Sequence, residues 1–114
     1  MMNLLIDKLH TGQSTLVVLH EGGIRQFEGV GVRKLYDLQN NEPELLYESK
    51  LAAKTVGRTA AKMMAGCGVS EVYADIISEA ACDVLRDAGI KVGWGQKVDH
   101  ARFLQIWTSL GETV

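Results

Sequence analysis

Lys50-Leu51-Ala52-Ala53-Lys54-Thr55-Val56-Gly57-Arg58-Thr59-Ala60-Ala61-Lys62-Met63-Met64-Ala65 is the stretch on which the reading of this chain turns. A basic residue recurs at every fourth position, and no Asp or Glu occurs between Glu48 and Glu71. At about 100° per residue, a helix over residues 50–65 gathers Lys50, Lys54, Arg58 and Lys62 on one broad face, with Ala52, Val56, Thr59, Ala60 and Met63 opposite. Ser49 is then the N-cap, and Gly66 and Gly68 stop the helix. Like charges four apart repel by roughly a few tenths of a kcal/mol per pair. The stripe therefore predicts that something offsets it: an anionic ligand, an acidic partner surface, or water and salt.

Outward from this segment the chain alternates cleanly. Residues 69–77 read as a strand, Ser78 caps a helix over residues 79–88 with Gly89 as its C′ residue, and residues 90–94 form another strand. Alternation of this kind builds parallel strands joined by right-handed crossovers, which places the two helices flanking the residue 69–77 strand on the same side of the sheet. Glu79, Asp83 and Asp87 make an acidic stripe opposite Ala81, Val84, Leu85 and Ala88, so two neighbouring helices carry opposite charge. Such exposed pairs contribute at most about 1 kcal/mol each.

Towards the N-terminus, Leu4, Leu5 and Leu9 define a first amphipathic helix that stops at Thr11-Gly12. Residues 14–20 and 24–30 then form an antiparallel hairpin around Glu21-Gly22-Gly23. Val32, Leu35 and Leu38 mark a short helix ending before Asn40-Asn41-Glu42-Pro43, and residues 44–48 are a loop. A last amphipathic helix carrying Phe103, Leu104, Ile106, Trp107 and Leu110 begins after Asp99. With no linker, repeat or low-complexity tract, residues 1–114 read as one domain, long enough to bury one core.

Composition narrows the functional classes. A hydrophobic content of 46% with mixed charge fits a globular chain, and the net charge of −2 provides no bulk attraction for nucleic acid. Outside the stripe, 8 basic residues stand against 14 acidic ones, so the positive face is local. No aromatic residue interleaves with it, which further disfavours nucleic acid. Residues 1–9 carry Asp7 and Lys8 and are too short to span a membrane. Cys67 and Cys82 without a CxxC framework point to a reducing, cytoplasmic compartment.

The residues 52–61 run, then Gly68-Val69-Ser70-Glu71-Val72-Tyr73-Ala74, then Ile77-Ser78 with Ala81, Val84-Leu85 and Gly89-Ile90, resembles the DUF1893 family. The resemblance implies a three-layer α/β/α sandwich similar to the cytidine deaminase fold without its zinc site, with a mixed sheet and an antiparallel N-terminal hairpin. The chain departs from the family pattern at Ala53, where an acidic residue is common, and over residues 100–114.

Zinc deamination requires His-x-Glu or Cys-x-Glu at one helix start and Pro-Cys-x-x-Cys at the next. Neither motif is present, and His10, His20 and His100 have no metal-ligand spacing. No cofactor is expected. Cys82 lies near a helix start, where a thiol is acidified, but it borders an apolar face and stands beside Asp83, so packing explains it better than nucleophilic catalysis. What remains is a non-zinc domain binding a small anionic metabolite or nucleotide, with Lys54, Gly57, Arg58 and Ser78 as candidate ligand-binding residues. The alternative is a non-catalytic interaction module assembling through its charged helix faces. The aromatic C-terminal helix suggests a homo-oligomer.

Overall fold

A computed structural model of the chain describes residues 2–29 and 31–109. Chain order is α1 (Met2–Thr11), β1 (Leu16–His20), β2 (Gly23–Phe27), α2 (Gly31–Asn41), α3 (Pro43–Leu46), β3 (Lys50–Val56), α4 (Arg58–Gly66), β4 (Glu71–Ser78), α5 (Glu79–Asp87), β5 (Lys91–Val98) and α6 (His100–Ser109). The five strands form one mixed sheet in the order β2-β1-β3-β4-β5. β1 is antiparallel to both β2 and β3, whereas β3, β4 and β5 run parallel.

The expected helix over residues 50–65 is corrected here. Lys50–Val56 is a strand at the centre of the sheet, and only Arg58–Gly66 is helical. Four is a multiple of the strand repeat of two as well as close to the helical turn of 3.6, so Lys50 and Lys54 share a face in either conformation. The decision is made by pairing. β3 hydrogen-bonds on both edges, and it joins the N-terminal hairpin to the parallel half of the sheet. Ser49 is accordingly no helix cap: its buried hydroxyl donates to the Leu46 carbonyl at 2.7 Å. Residues 44–48, expected as a loop, begin inside the short α3, with Pro43 in its first turn.

Each face of the sheet has its own apolar layer. Leu5 and Leu9 of α1 pack with Val17, Leu19 and Ala52 on one side. On the other, Leu35, Leu38, Leu46, Met64 and Leu85 from α2 to α5 pack over Leu16, Val18, Leu51, Ala53, Val72 and Ala74. The continuous apolar run of β1 follows from cover on both faces. Burying each such leucine contributes roughly 1.5–3 kcal/mol. α4 and α5 lie side by side, as right-handed crossovers from β3 to β4 and from β4 to β5 require.

Edge strand β5 runs to Val98, beyond the expected end at Trp94. Trp94 is half-buried against the larger core, with the Arg86 guanidinium 5.4 Å and the Lys97 ammonium 5.0 Å from its ring centroid. α6 starts where expected, because the Asp99 carboxylate accepts from the Arg102 amide at 2.8 Å. Among the described residues no helix is long and apolar enough to cross a membrane. Val30, Leu110 and the side chain of Trp107 lie outside what the structure describes.

Candidate functional site

A pocket of about 320 Å³ opens at the carboxyl ends of β3 and β4, where each strand hands over to its helix. Parallel α/β sheets collect ligands at this edge, because helix N-termini converge there with their amides pointing outward. Gly57, Arg58 and Ser78, three of the four candidates from the sequence, line it together. Lys54 does not. Alternation along β3 sets it on the face of Ala52, which packs under α1, so the strand that replaced the expected helix carries this cation to the other side of the sheet.

The two helices that start at the pocket are built differently. α5 is capped: the Ser78 hydroxyl accepts from the Ala81 amide at 3.1 Å, Glu79 occupies the first turn and Arg86 the last. Each feature suits the helix dipole. α4 has no side-chain cap at Gly57 and no acidic residue in its first turn. Its first residue is instead Arg58, a cation placed at the positive end of the dipole, where cations are disfavoured. Arg58 is exposed and makes no ion pair with a described residue. The amide end of α4, without a side-chain cap, and the guanidinium, without an ion-pair partner among the described residues, thus present two positive features to one cavity.

Gly57 has an extended backbone, φ −98° and ψ 178°, which any residue adopts. Contact, not conformation, demands glycine. A Cβ built there would lie 2.8 Å from the ring of Phe103, which is 4% exposed and lies against the bare backbone. α6 thereby closes one side of the pocket, with His100 and Leu104 also reaching the lining. Thr55 and Thr59 complete the polar part, while Val32 and Ala60 add apolar wall. Thr55, Thr59, His100, Phe103 and Leu104 were not named as ligand-binding residues from the sequence. The signal for Thr59 was its place beside Arg58, whereas nothing local links residues 100–104 to residue 57.

Elsewhere, the charge stripes do not neutralise each other. Arg58 and Lys62 on α4 and Glu79, Asp83 and Asp87 on α5 are all exposed, and no ion pair joins the two helices among the described residues. Lys50 pairs instead with Glu71 on the neighbouring strand at 3.6 Å. Cys82 is buried in the core at 1% exposure, and burial raises the thiol pKa of Cys67 at the far end of α4. Neither lines the pocket. On the α1 side, Asp75 accepts from the Tyr73 hydroxyl at 2.9 Å and contacts His10 Nε2 at 2.7 Å. Tyr73 is pushed above the usual tyrosine range by desolvation first, then by its bond to Asp75 and that carboxylate's charge. Among the described residues no group of three or more His, Cys, Asp or Glu side chains converges to hold a metal.

Two comparisons with known proteins are concordant. The model of the TM1506 family, described as a domain of unknown function (DUF1893), matches residues 4–102. The crystal structure of a DUF1893 family protein (TM1506) from Thermotoga maritima is similar, with a TM-score of 0.75 at 15% sequence identity, covering 96% of this chain and 88% of that one. At this identity the likeness is one of fold. No curated protein matches the chain.

Proposed function

The chain belongs to the DUF1893 family, and from the pocket at the ends of β3 and β4 we propose that it binds a small anionic metabolite or nucleotide without zinc-dependent deamination. One observation carries this reading: a helix N-terminus without a side-chain cap and an arginine without an ion-pair partner among the described residues face the same cavity. Backbone amides of α4 supply hydrogen bonds to an oxyanion, and Arg58 supplies a charge-assisted, bidentate partner. A bound anion would offset the unfavourable position of Arg58 at the start of a helix, the kind of local conflict that marks functional positions.

We read the sandwich as the cytidine deaminase type. Support comes from an antiparallel hairpin followed by β3-α4-β4-α5-β5, with the starts of two successive helices opening one pocket. Zinc does not fit that pocket. A zinc-bound water needs three His or Cys ligands and a neighbouring Glu, whereas His100 is the one such side chain among the described lining residues. No step is therefore assigned to a metal.

The test is a thermal-shift titration with inorganic phosphate and nucleoside monophosphates at low salt. A ligand at about 100 times its Kd raises stability by about 2.7 kcal/mol. Arg58→Ala removes a charge-assisted bond worth roughly 1.5–3 kcal/mol, which weakens affinity by at least about ten-fold. Lys54→Ala, off the pocket, leaves the shift unchanged. Equal shifts in the parent and Arg58→Ala, or none with any anion, refute the reading. A change in sedimentation mass on altering Arg58 and Lys62, without any ligand effect, supports assembly through the charged faces instead.

A further inference from the structure

We infer that the ligand of this pocket is a compact organic anion with one anionic group: one ring or branched aliphatic body joined by a short connection to a single carboxylate or phosphate. The inference rests on the anion-binding reading above and adds the rest of the molecule to it. Three features of the cavity carry it.

The wall divides into two unequal parts. Arg58 is the only permanently charged side chain among the described lining residues, while Phe103, Leu104, Val32 and Ala60 give the cavity a predominantly carbon surface. A polyphosphate placed there would bury charge that nothing neutralises, and unpaired buried charge is costly. A single anionic group satisfied by Arg58 and the α4 amides meets no such penalty, and the remaining wall is left to an apolar body.

The two parts also meet at one residue. Gly57 forms the start of α4, where the anion would be held, and its bare backbone is also the surface against which the Phe103 ring packs. Anionic group and apolar body must therefore be close together in the ligand, separated by few bonds. Leu104, 38% exposed, is one of the few large apolar side chains left open to solvent and lies at this lining. Size agrees: about 320 Å³ is near the lower limit for small-molecule pockets, which span roughly 300–1,000 Å³. Phe103 and Leu104 lie beyond residues 4–102, the span matched by the family model, whereas Val32 and Ala60 lie within it, so the apolar wall is contributed from both sides of that boundary.

Binding of phenyl phosphate, benzoate, inorganic phosphate, phenol and adenosine triphosphate, followed on the amide signals of Arg58 and Thr59 by NMR titration of the whole chain, tests this. Phenyl phosphate or benzoate is expected to bind at least about ten-fold more tightly than either inorganic phosphate or phenol, because only they engage both halves of the wall. Leu104→Ser should weaken phenyl phosphate or benzoate several-fold and leave inorganic phosphate unchanged, while Arg58→Gln should weaken the organic anions and leave phenol unchanged. Inorganic phosphate or adenosine triphosphate binding as tightly as the organic anions overturns the inference and leaves the anion site standing. Phenol binding as tightly, with Arg58→Gln silent, or no probe perturbing these amides, overturns both.

Discussion

Ser78→Ala separates the two roles that converge on one hydroxyl. Ser78 is 1% exposed, its oxygen accepts from the Ala81 amide at 3.1 Å, and it lies in the pocket lining. Losing a serine N-cap costs about 1 kcal/mol, and a buried amide left without an acceptor costs about 1–3 kcal/mol. These overlap, because the cap bond and the stranded amide are the same interaction, so the expected loss is about 1–2 kcal/mol. A chain of this length has an unfolding entropy near 2.1 cal/mol/K per residue, which makes each kcal/mol about 4 °C in Tm. Calorimetry should thus show Tm falling by about 4–8 °C. Ser78→Gly should cost less, since glycine is a tolerated N-cap and opens the amide to water. Phosphate affinity should change little in either variant, because the serine oxygen is occupied by Ala81 and the anion is held from α4. A fall below about 1 °C in Ser78→Ala would refute the capping argument; loss of phosphate binding at unchanged stability would reverse the assignment and make Ser78 a ligand.

Other outcomes follow from the same geometry. Gly68 and Gly89 both have left-handed backbones, φ +75° and +77°, but a Cβ at Gly68 would lie 2.8 Å from the Tyr47 ring whereas one at Gly89 meets nothing. Gly89→Ala should cost about 1 kcal/mol in urea unfolding, and Gly68→Ala should cost more unless the exposed Tyr47 swings aside, in which case the two losses match. Tyr73 titrates above the usual tyrosine range, so its neutral form is favoured by folding; that stabilisation is complete below about pH 10 and is lost as pH rises through the higher folded-state value. Absorbance at 295 nm should show one of the three tyrosines ionising late, a step absent from Tyr73→Phe. Ellman's reagent should reach the half-buried Cys67 first, slowly because its thiolate is disfavoured, and Cys82 only on unfolding.

Much of the architecture was legible because local signals agreed with one another. Ser78 before Glu79, Gly89 after Ala88, Gly22-Gly23 between two apolar runs and Asp99 before the last helix each mark a boundary with its own chemistry, and each boundary appears in the structure. Gly57, Arg58 and Ser78 were named together from a mistaken local structure, a helix over residues 50–65; they share a pocket because β3 ends at Val56 and two successive βα turns in a parallel sheet open on the same edge. Lys54 was misplaced with its whole segment. Residues 50–56 hold an alanine pair favourable to helices and a basic period of four that fits both conformations. What makes them a strand is hydrogen bonding to residues 16–19 and 71–77, far away in the chain.

By itself the sequence determined the element boundaries that short-range chemistry controls, together with the alternation that makes the second half of the sheet parallel, because caps, turns and apolar periods act within one or two turns of chain. Only the tertiary structure decided that the segment before Gly57 is the central strand, that Lys54 faces α1 while Arg58 faces the cavity, and that Phe103 lies against Gly57. These depend on contacts between residues tens of positions apart. Strand pairing is a property of two segments at once, and a pocket assembled from α2, β3, α4, β4 and α6 exists only after all five have packed.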